Sequence, residues 1–570
     1  MAHLPILATR GTDGLVLYQG QEGFTKWDVL MQEQTQGVRV IGFSDDGSLL
    51  AYCNGTVLKV LNLADGSTFY QADKQKTLEI VISPNNRYMA TWEQFYTTPS
   101  NPQGSNNFEI VDMQTNTVVT SMIHKNQTGW TPLWTKDELV CGRVVTNEVQ
   151  FYTDGDFRKA STKLYLQNVT SFSISPSTQP PYMVAAYVQG KKGQPSAVRL
   201  FQYPNFGEGC AIANKSFFKA DKVDIIWNKK GTALVILVSS DKDTTGASYY
   251  GEQSLHFMNA QGESNIIHLE KRGPIYSVDW NPNSSQFCVV YGYMPAKATL
   301  FDLKCEPIFD FGTGPRNICT FNPHGNILCI CGFGNLNGYM EMWNVDGRKM
   351  VAKPQAIDTT YMEWCPDGQH LVTSTCAPRL RIGNGYKIWH YTGKVLQSFD
   401  VPKGAELWQT KWQSQPASMF PVPKIQSGVT DGPKAAAYRP PSARGTAEKK
   451  LVIHEDELPQ NQKNAQNMSA NALKNKKKRE AKAAKAKLEQ ESAAQGQKDQ
   501  PAPSSKPVDE PATGDVDVDK KIRAVKKKLR QIDDLKTKQK NGAVLESNQL
   551  EKIEGESELL KELAALGIKP

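Results

Sequence analysis

The sequence lacks the short motifs that mark the common enzyme classes. It holds no G-x-x-x-x-G-K-[ST] phosphate loop, no H-E-x-x-H zinc motif and no G-x-S-x-G nucleophile elbow. The missing phosphate loop argues against built-in hydrolysis of GTP or ATP. We therefore expect a protein that is not an enzyme.

Long apolar runs and a disulfide-type spacing of cysteines are also missing. No run approaches the roughly 20 apolar residues of a membrane-spanning helix. The first residues, MAHLPILATRG, have neither the charged start nor the long apolar centre of a signal peptide. The ten cysteines show no framework spacing. These absences predict a cytoplasmic protein with reduced thiols and no membrane partner.

The last part of the chain has almost no aromatic residues. All 11 Trp and all 10 Cys lie at or before Trp412, and the single aromatic residue after Phe420 is Tyr438. From Pro421 to Pro570 there are 30 Lys and Arg against 22 Asp and Glu, a net charge of +8 that equals the surplus of the whole chain. Such a segment cannot bury enough apolar surface to form a fixed globule. The composition thus predicts a neutral folded part and a basic tail.

What is present is one turn-centred unit, repeated along the first 416 residues. In CTFNPHGNILCIC (319–331), Asn322, Pro323 and Gly325 suit a type I turn whose last residue has positive φ, and Phe321 is expected to face the core. Such a turn closes a β-hairpin. Related stretches begin at Phe43, Ile82, Trp134, Ile174, Trp227, Trp280 and Trp364, the copy at Trp134 being the faintest. Their spacing of about 40 to 53 residues is typical of β-propeller blades.

Strands that alternate apolar and polar residues lie between these turns. Eight are found, an early one (GLVLYQG, 14–20) makes nine, and ELWQTKWQ (406–413) supplies a ninth inner strand. Pairing the two ends of the chain closes a ring and hides two sheet edges. The Trp-Asp dipeptide occurs once, at Trp27. The predicted fold is an all-β, atypical WD-repeat-like β-propeller with nine blades over 1–416; eight blades is the alternative on counting alone.

One group of residues resembles a metal site. Zinc requires about four ligands that converge. The hairpin is expected to place Cys319 nearly opposite Cys329 and His324 at the tip. Cys331 is expected on the same strand face as Cys329. His324 then lies too far away, so these cysteines are interpreted as core residues. The other histidines fall one to a blade at most, which favours structural roles. No metal, cofactor or catalytic residue is predicted.

The glycine-rich run GFGNLNG (332–338) resembles a phosphate cradle. It follows one strand and precedes another, so the helix N-terminus that a phosphate needs is missing. A hairpin loop is predicted instead.

The tail divides by composition into four segments. They are a Pro/Gly/polar linker (417–467), a Lys/Ala-rich helix (468–493), a linker expected to be disordered (494–518), and a basic followed by an acidic amphipathic helix (519–567). In the basic helix, Ile522, Val525, Leu529 and Ile532 recur at helical spacing. A turn at Asn541-Gly542 lets the two helices pair as a hairpin; alternatively, each docks on a partner.

Two lysine-rich runs are candidate contacts with an RNA backbone. Phosphate neutralisation by Lys and Arg releases counterions and binds without reading bases, and the sequence has no RRM or KH signature. The alternative is a solvating charge run or an import-like patch. The candidate contacts are Lys476, Lys477, Lys478, Arg479, Lys526, Lys527, Lys528 and Arg530.

Four stretches resemble the eukaryotic translation initiation factor 2A family, the single-chain factor distinct from the heterotrimeric GTP-binding factor. They are LATRGTDGLVLYQG (7–20), WNPNSSQFCVVYGYMPAKATLFDL (280–303), FNPHGNILCICGFGNLNGYMEMWN (321–344) and KNKKKREAKAAKAK (474–487). The resemblance covers essentially the whole chain.

The resemblance implies a factor that binds the small (40S) ribosomal subunit. It also implies GTP-independent, codon-dependent binding of initiator methionyl-tRNA, mainly in non-standard or stress-time initiation. The expected partners are the subunit, initiator tRNA or mRNA through the basic tail, and other initiation factors. Two alternatives stay open: a non-enzymatic propeller scaffold for protein assembly, and a relative of the nine-bladed ring subunit of the initiation factor 3 complex.

Overall fold

The first part of the chain folds into nine four-stranded antiparallel sheets arranged as a ring. The computed structural model describes residues 4–21, 26–35, 37–191, 194–218, 220–240 and 251–425, together with 532, 536, 556, 557 and 560. Within these residues the strands are numbered β1 to β36 in chain order. The predicted nine-bladed β-propeller is confirmed, and the eight-bladed alternative is wrong.

Each blade is one sheet, and the first strands of neighbouring blades contact each other around the central axis. These innermost strands are β4 (Val40–Phe43), β8 (Thr77–Ile82), β12 (Leu133–Trp134), β16 (Val169–Ile174), β20 (Lys222–Trp227), β24 (Ile275–Trp280), β28 (Ile318–Phe321), β32 (Tyr361–Trp364) and β36 (Leu407–Trp412). The second strands are β1 (Leu7–Gly11), β5 (Leu49–Cys53), β9 (Tyr88–Glu93), β13 (Val140–Val145), β17 (Met183–Val188), β21 (Ala233–Ser240), β25 (Gln286–Tyr291), β29 (Ile327–Cys331) and β33 (His370–Thr375).

The outer half of each blade consists of a third and a fourth strand. The third strands are β2 (Gly14–Gly20), β6 (Leu58–Asn62), β10 (Phe108–Asp112), β14 (Glu148–Thr153), β18 (Ser196–Gln202), β22 (Glu252–Asn259), β26 (Ala296–Asp302), β30 (Met340–Asn344) and β34 (Gly385–His390). The outermost strands are β3 (Trp27–Glu33), β7 (Thr68–Ala72), β11 (Thr117–Met122), β15 (Thr162–Tyr165), β19 (Ala213–Phe217), β23 (Ser264–Ile266), β27 (Pro307–Gly314), β31 (Lys349–Ala352) and β35 (Val395–Asp400).

Blade 1 joins the two ends of the ring. Its sheet has the order β3-β2-β1-β36, so its innermost strand comes from the end of the ring sequence. Leu7 pairs with Trp412 and Thr9 with Thr410 in this antiparallel contact. The predicted closure by pairing of the chain ends is confirmed. Blades 2 to 9 follow in order, from β4–β7 to β32–β35.

The apolar residue before each repeated turn packs in the core between two blades; it is aromatic in most blades and isoleucine in two of them, Ile82 and Ile174. Phe321 of blade 8 packs with Cys288 and Leu300 of blade 7, and Trp364 of blade 9 packs with residues of blade 8. Phe321 is 5% exposed, as the sequence predicts. Burial of each such ring stabilises the fold by about 2 kcal/mol, so the repeated aromatic residue holds neighbouring blades together.

The ring has two distinct faces. We call "turn face" the face that carries the connections from first to second strands, and "loop face" the opposite one. The connections from third to fourth strands also lie on the turn face, because every sheet is an antiparallel meander. After β36, a short 3-10 helix (Ala417–Met419) begins the segment that leaves the ring.

Candidate nucleic-acid interface

The two lysine-rich runs predicted to contact RNA, Lys476 to Arg479 and Lys526 to Arg530, lie outside the described residues. They remain predictions. Beyond residue 425, five residues of the tail are described: Ile532, Lys536, Glu556, Ser557 and Leu560, all helical. Ile532 is buried, and the Lys536 ammonium forms an ion pair with the Glu556 carboxylate. One residue of the basic segment therefore contacts one residue of the acidic segment.

The cysteines of blade 8 lie in two separate cores. Cys319 pairs with Ile330 rather than with Cys329, so the expectation that Cys319 lies nearly opposite Cys329 is wrong by one residue. Because side chains alternate along a strand, Cys319 packs toward blade 7, whereas Cys329 and Cys331 pack toward blade 9. This separation prevents the three thiols from converging on one metal ion.

The structure also tests the sequence interpretations of the glycine-rich run and of the histidines. GFGNLNG connects β29 to β30, and the N–H of Gly332 donates to the carbonyl oxygen of Tyr339 at 3.1 Å, so the predicted hairpin loop is confirmed.

The histidines are not spread one to a blade. His370 and His390 both belong to blade 9, with ring centroids 5.4 Å apart. They lie on adjacent strands, β33 and β34, whose pairing the sequence spacing does not reveal.

Turns on the turn face are joined from blade to blade by side-chain amides. The Nδ2 of Asn281 donates to the carbonyl oxygen of Gly325 at 2.8 Å, and that of Asn322 donates to Gly368 at 2.9 Å. A Cβ on Gly325, whose φ is +78°, would lie 2.1 Å from Asn281 Oδ1. In blades 7 to 9, the amide that begins one turn therefore fixes the glycine of the next turn.

The corresponding turn of blade 6 carries Lys229 and Lys230 at its tip. Asn228 Oδ1 accepts a hydrogen bond from the N–H of Thr232 at 2.9 Å, and Asn228 Nδ2 donates to Thr232 Oγ1 at 2.9 Å. Both lysine side chains are exposed. The turn closes on itself through its first residue, so the backbone under the two lysines is fixed.

Contacts with both neighbouring blades also hold this turn. The N–H of Lys230 donates to Ser284 Oγ of blade 7 at 3.1 Å. On the other side, Gly231 has φ of +68°, and a Cβ there would lie 2.8 Å from Ser177 Oγ of blade 5. Glycine is required both by the backbone angle and by this close approach.

A cleft of about 670 Å³ opens beside the two lysines, between the turns of blades 5 and 6. Neutral side chains that can form hydrogen bonds line it: Ser177, Thr178, Gln179, Gln202, Thr232 and Gln261. Among the described residues, no Asp or Glu contributes to its wall. We call this site the turn-face cleft. Its chemistry, two ammonium groups with neutral donors, suits an anion.

The loop face has a cavity of about 580 Å³ between blades 6 and 7. Lys271, Arg272 and the exposed ring of Tyr293 line it, but so does the carboxylate-bearing Glu252. Lys271 Nζ already donates to the carbonyl oxygen of Pro295 at 2.5 Å. The loop-face cavity therefore offers a phosphate less unopposed positive charge than the turn-face cleft.

The chain leaves the ring on the turn face. The carbonyl oxygen of Pro423 accepts a hydrogen bond from Asn326 Nδ2 at 3.0 Å, and that of Lys424 accepts one from the Tyr391 hydroxyl at 2.9 Å. Ile425 packs against the core shared by blades 8 and 9. We call 417–425 the exit segment. It is fixed to blades 8 and 9 up to its last described residue.

The charge of Lys229 in blade 6 acts on His324 in blade 8. Burial lowers the pKa of His324, which lies at the turn of blade 8; Asp367 opposes that shift, and the positive charge of Lys229 lowers the pKa further. His324 lies two residues before Asn326, and Asn326 binds the exit segment.

Sequence reasoning missed Lys229 and Lys230 as candidate contacts, although they lie in a repeat that it recognised. A usable signal was present. The two tip positions of the other turns hold Asp45-Asp46, Pro84-Asn85, Lys136-Asp137, Pro176-Ser177, Pro282-Asn283, Pro323-His324 and Pro366-Asp367. Two lysines at the tip therefore distinguish the blade 6 turn from these seven. The single tip lysine among the seven, Lys136, is paired with Asp45 at 2.5 Å.

In the part of the chain that the structure describes, no helix has the length and apolar character needed to cross a bilayer. Over the same residues, no three His, Cys, Asp or Glu side chains come together as metal ligands would.

Comparison with known proteins gives one consistent result. The family model described as "Eukaryotic translation initiation factor eIF2A" matches residues 215–410, and that of the "Eukaryotic translation initiation factor 2A C-terminal domain" matches 520–566. Eukaryotic translation initiation factor 2A of Drosophila melanogaster is 36% identical over 99% of this chain and 98% of its own length. The Caenorhabditis elegans protein of the same name is 33% identical over 99% of both.

A solved structure matches the ring in shape. A crystal structure titled as that of the eukaryotic initiation factor is 31% identical, with a TM-score of 0.65. The match covers 72% of this chain and 99% of the crystallised chain.

Proposed function

The chain belongs to the eukaryotic translation initiation factor 2A family, and from that premise we propose that it binds the small (40S) ribosomal subunit and promotes GTP-independent, codon-dependent binding of initiator methionyl-tRNA, mainly in non-standard or stress-time initiation. The observation that carries the proposal is the match to a translation initiation factor over 98% of that relative's length. Both the ring and the tail fall within the match.

The ring and the tail take different parts in this proposal. Side-chain hydrogen bonds join blades 7, 8 and 9 of the ring on the turn face and fix their surface. A rigid surface loses little conformational entropy when it docks on the ribosome. The tail carries the whole net charge of +8 and supplies the proposed contacts with tRNA or mRNA, Lys476 to Arg479 and Lys526 to Arg530. The protein acts in the cytoplasm as a non-enzymatic binding factor.

Cosedimentation with purified small ribosomal subunits over a KCl series tests the first step. The samples are the full chain, the ring (1–425) and the tail (426–570). The ring is a reasonable fragment, since 72% of this chain accounts for 99% of the crystallised relative. We expect the ring to sediment with the subunit, and the tail to make binding of the full chain more dependent on salt.

Retention of labelled initiator methionyl-tRNA on these subunits tests the second step. We expect the full chain to increase retention when an AUG codon is present, equally with and without GTP. Loss of subunit binding by every sample at low salt would overturn the proposal in favour of a protein-assembly scaffold.

A further inference from the structure

We propose that the turn face of blades 5 to 9 is the RNA-contacting face of the ring, and that Lys229 and Lys230 bind phosphate groups of an RNA backbone at the turn-face cleft. This inference rests on the proposed ribosomal function and adds the face and the residues. The partner is identified by chemistry alone, as a sugar–phosphate chain.

Unopposed charge is the first argument. Lys229 and Lys230 are exposed, and neither forms an ion pair with a carboxylate of the described residues at 4 Å or less. A lysine already paired with Asp or Glu releases fewer counterions on meeting a phosphate. Lys136, at the turn of blade 4, is such a paired lysine. The blade 6 turn is therefore a stronger phosphate site than the blade 4 turn.

The neutral wall of the cleft is the second argument. Hydroxyl and amide side chains from Ser177, Gln179 and Gln261 can bond phosphate oxygens and ribose hydroxyl groups. Since half or more of the hydrogen bonds in such complexes go to phosphate and sugar, a wall of this kind positions an RNA without selecting its sequence. No carboxylate of the described residues belongs to the wall, so none opposes a phosphate within the cleft itself.

The rigidity of the blade 6 turn is the third argument. Its backbone is fixed by Asn228 from within and by Ser284 of blade 7 from outside. The two ammonium groups therefore start from a defined origin, and only the side chains must be ordered on binding. Preorganisation of this kind reduces the entropy lost in association.

The position of the exit segment selects RNA over an acidic protein. The basic tail begins from blades 8 and 9 on the same face as the cleft, held there by Asn326 and Tyr391. The exposed Lys424 of the exit segment lies on this face as well, and an RNA backbone, which carries a phosphate at every nucleotide, can contact it together with the cleft.

The test compares two double variants of the full-length chain that remove the same charge. K229Q/K230Q removes the proposed contacts. K191Q/K403Q removes two exposed lysines of the loop face and serves as the matched control. Binding to a fluorescent, unstructured oligouridylate and to purified small subunits is measured from 50 to 300 mM KCl, after equal melting temperatures confirm that all proteins are folded.

We expect the slope of log K against log [KCl] for the oligonucleotide to fall in magnitude by about 1 to 2 in K229Q/K230Q. The corresponding loss of affinity at 100 mM KCl is about tenfold, and the control changes by less than twofold. Equal losses in both variants, or no loss in K229Q/K230Q, would overturn the assignment.

Three mixed outcomes separate this inference from the proposed function. If the wild-type chain binds subunits and K229Q/K230Q binds both ligands equally well, the cleft is wrong and the ribosomal function stands. If K229Q/K230Q loses subunit binding but keeps oligonucleotide binding, the cleft contacts a ribosomal protein, and the RNA assignment fails. If the wild type binds the oligonucleotide through the cleft but no subunit, the ribosomal function fails alone.

Discussion

The side-chain amide of Gln413 donates a hydrogen bond to the carbonyl oxygen of Gly47 at 2.7 Å and accepts one from the N–H of Ile6 at 3.0 Å. Ile6 and Gln413 are 407 residues apart in sequence. Gln413 directly follows the aromatic residue at the end of its innermost strand, just as Asn281 and Asn322 do in blades 7 and 8. One side chain thus continues the turn-face hydrogen bonds across the point where the ring closes.

Replacing Gln413 with leucine should destabilise the ring by about 2–4 kcal/mol, because the carbonyl oxygen of Gly47 and the N–H of Ile6 are buried and would lose their partner. Urea unfolding followed by tryptophan fluorescence measures the change. Gln114→Leu, at an exposed position, is the control and should shift stability by no more than about 0.5 kcal/mol. Equal unfolding curves for the two variants would contradict the role of Gln413.

Asp279 should make the ring less stable as pH rises from about 4 to 6. Burial raises its pKa from 3.8 to about 6, although the N–H of Phe321 donates to its carboxylate at 2.8 Å and opposes the shift. The folded ring therefore holds this proton more tightly than the unfolded chain, so protonation favours folding and ionisation disfavours it. The contribution is complete below pH 4 and lost above pH 6.

Asp279→Asn keeps an acceptor for Phe321 and removes the charge. We expect the variant to be more stable than the wild type at pH 7.5 by about 1–3 kcal/mol, and equally stable at pH 4. Thermal unfolding at both pH values measures the difference. A variant that is less stable at pH 7.5 would show that the charge of Asp279 is favourable.

Glu341→Gln should destabilise blade 8 strongly. The Glu341 carboxylate contacts Arg316 Nη2 at 2.7 Å and Lys353 Nζ at 3.1 Å, and both Glu341 and Arg316 are less than 8% exposed. Breaking a buried pair leaves an uncompensated charge and costs about 3–5 kcal/mol. Asp156→Asn, which breaks an exposed pair with Arg158, is the control and should leave the unfolding curve nearly unchanged, because solvent screens such a pair. Chemical unfolding of both variants decides the matter.

The contact between Lys536 and Glu556 predicts that the two tail segments fold together. In a fragment spanning 515–570, which contains the family's C-terminal domain match, Lys536→Glu should lower the thermal midpoint seen by circular dichroism. Charge exchange in K536E/E556K should restore it. The coupling energy is expected to be about 0.5–1 kcal/mol. A double variant as unstable as the single one would argue against the contact.

The ring could be predicted from sequence because its determinants are local. Asn-Pro-His-Gly at 322–325 specifies a turn by itself, and the alternation of the strands needs no distant information. Even the faint copy at Trp134 has a physical basis, since its innermost strand is two residues long. The candidate interface could not be predicted in the same way. The turn-face cleft exists because Gly231 of blade 6 approaches Ser177 of blade 5, and no pattern within one repeat reports that approach.

Blade 1, which joins the two ends of the ring, has a consequence for how the protein is made. Until Leu407–Trp412 has emerged from the ribosome, the inner edge of Leu7–Gly11 has no partner. At typical synthesis rates of 5–20 residues per second, this interval lasts roughly 20–80 s. During that time the nascent chain presents an open sheet edge that can pair with other strands. Synthesis of the whole ring is thus a condition for protecting this edge. A chain that terminates before Leu407 should aggregate or be degraded.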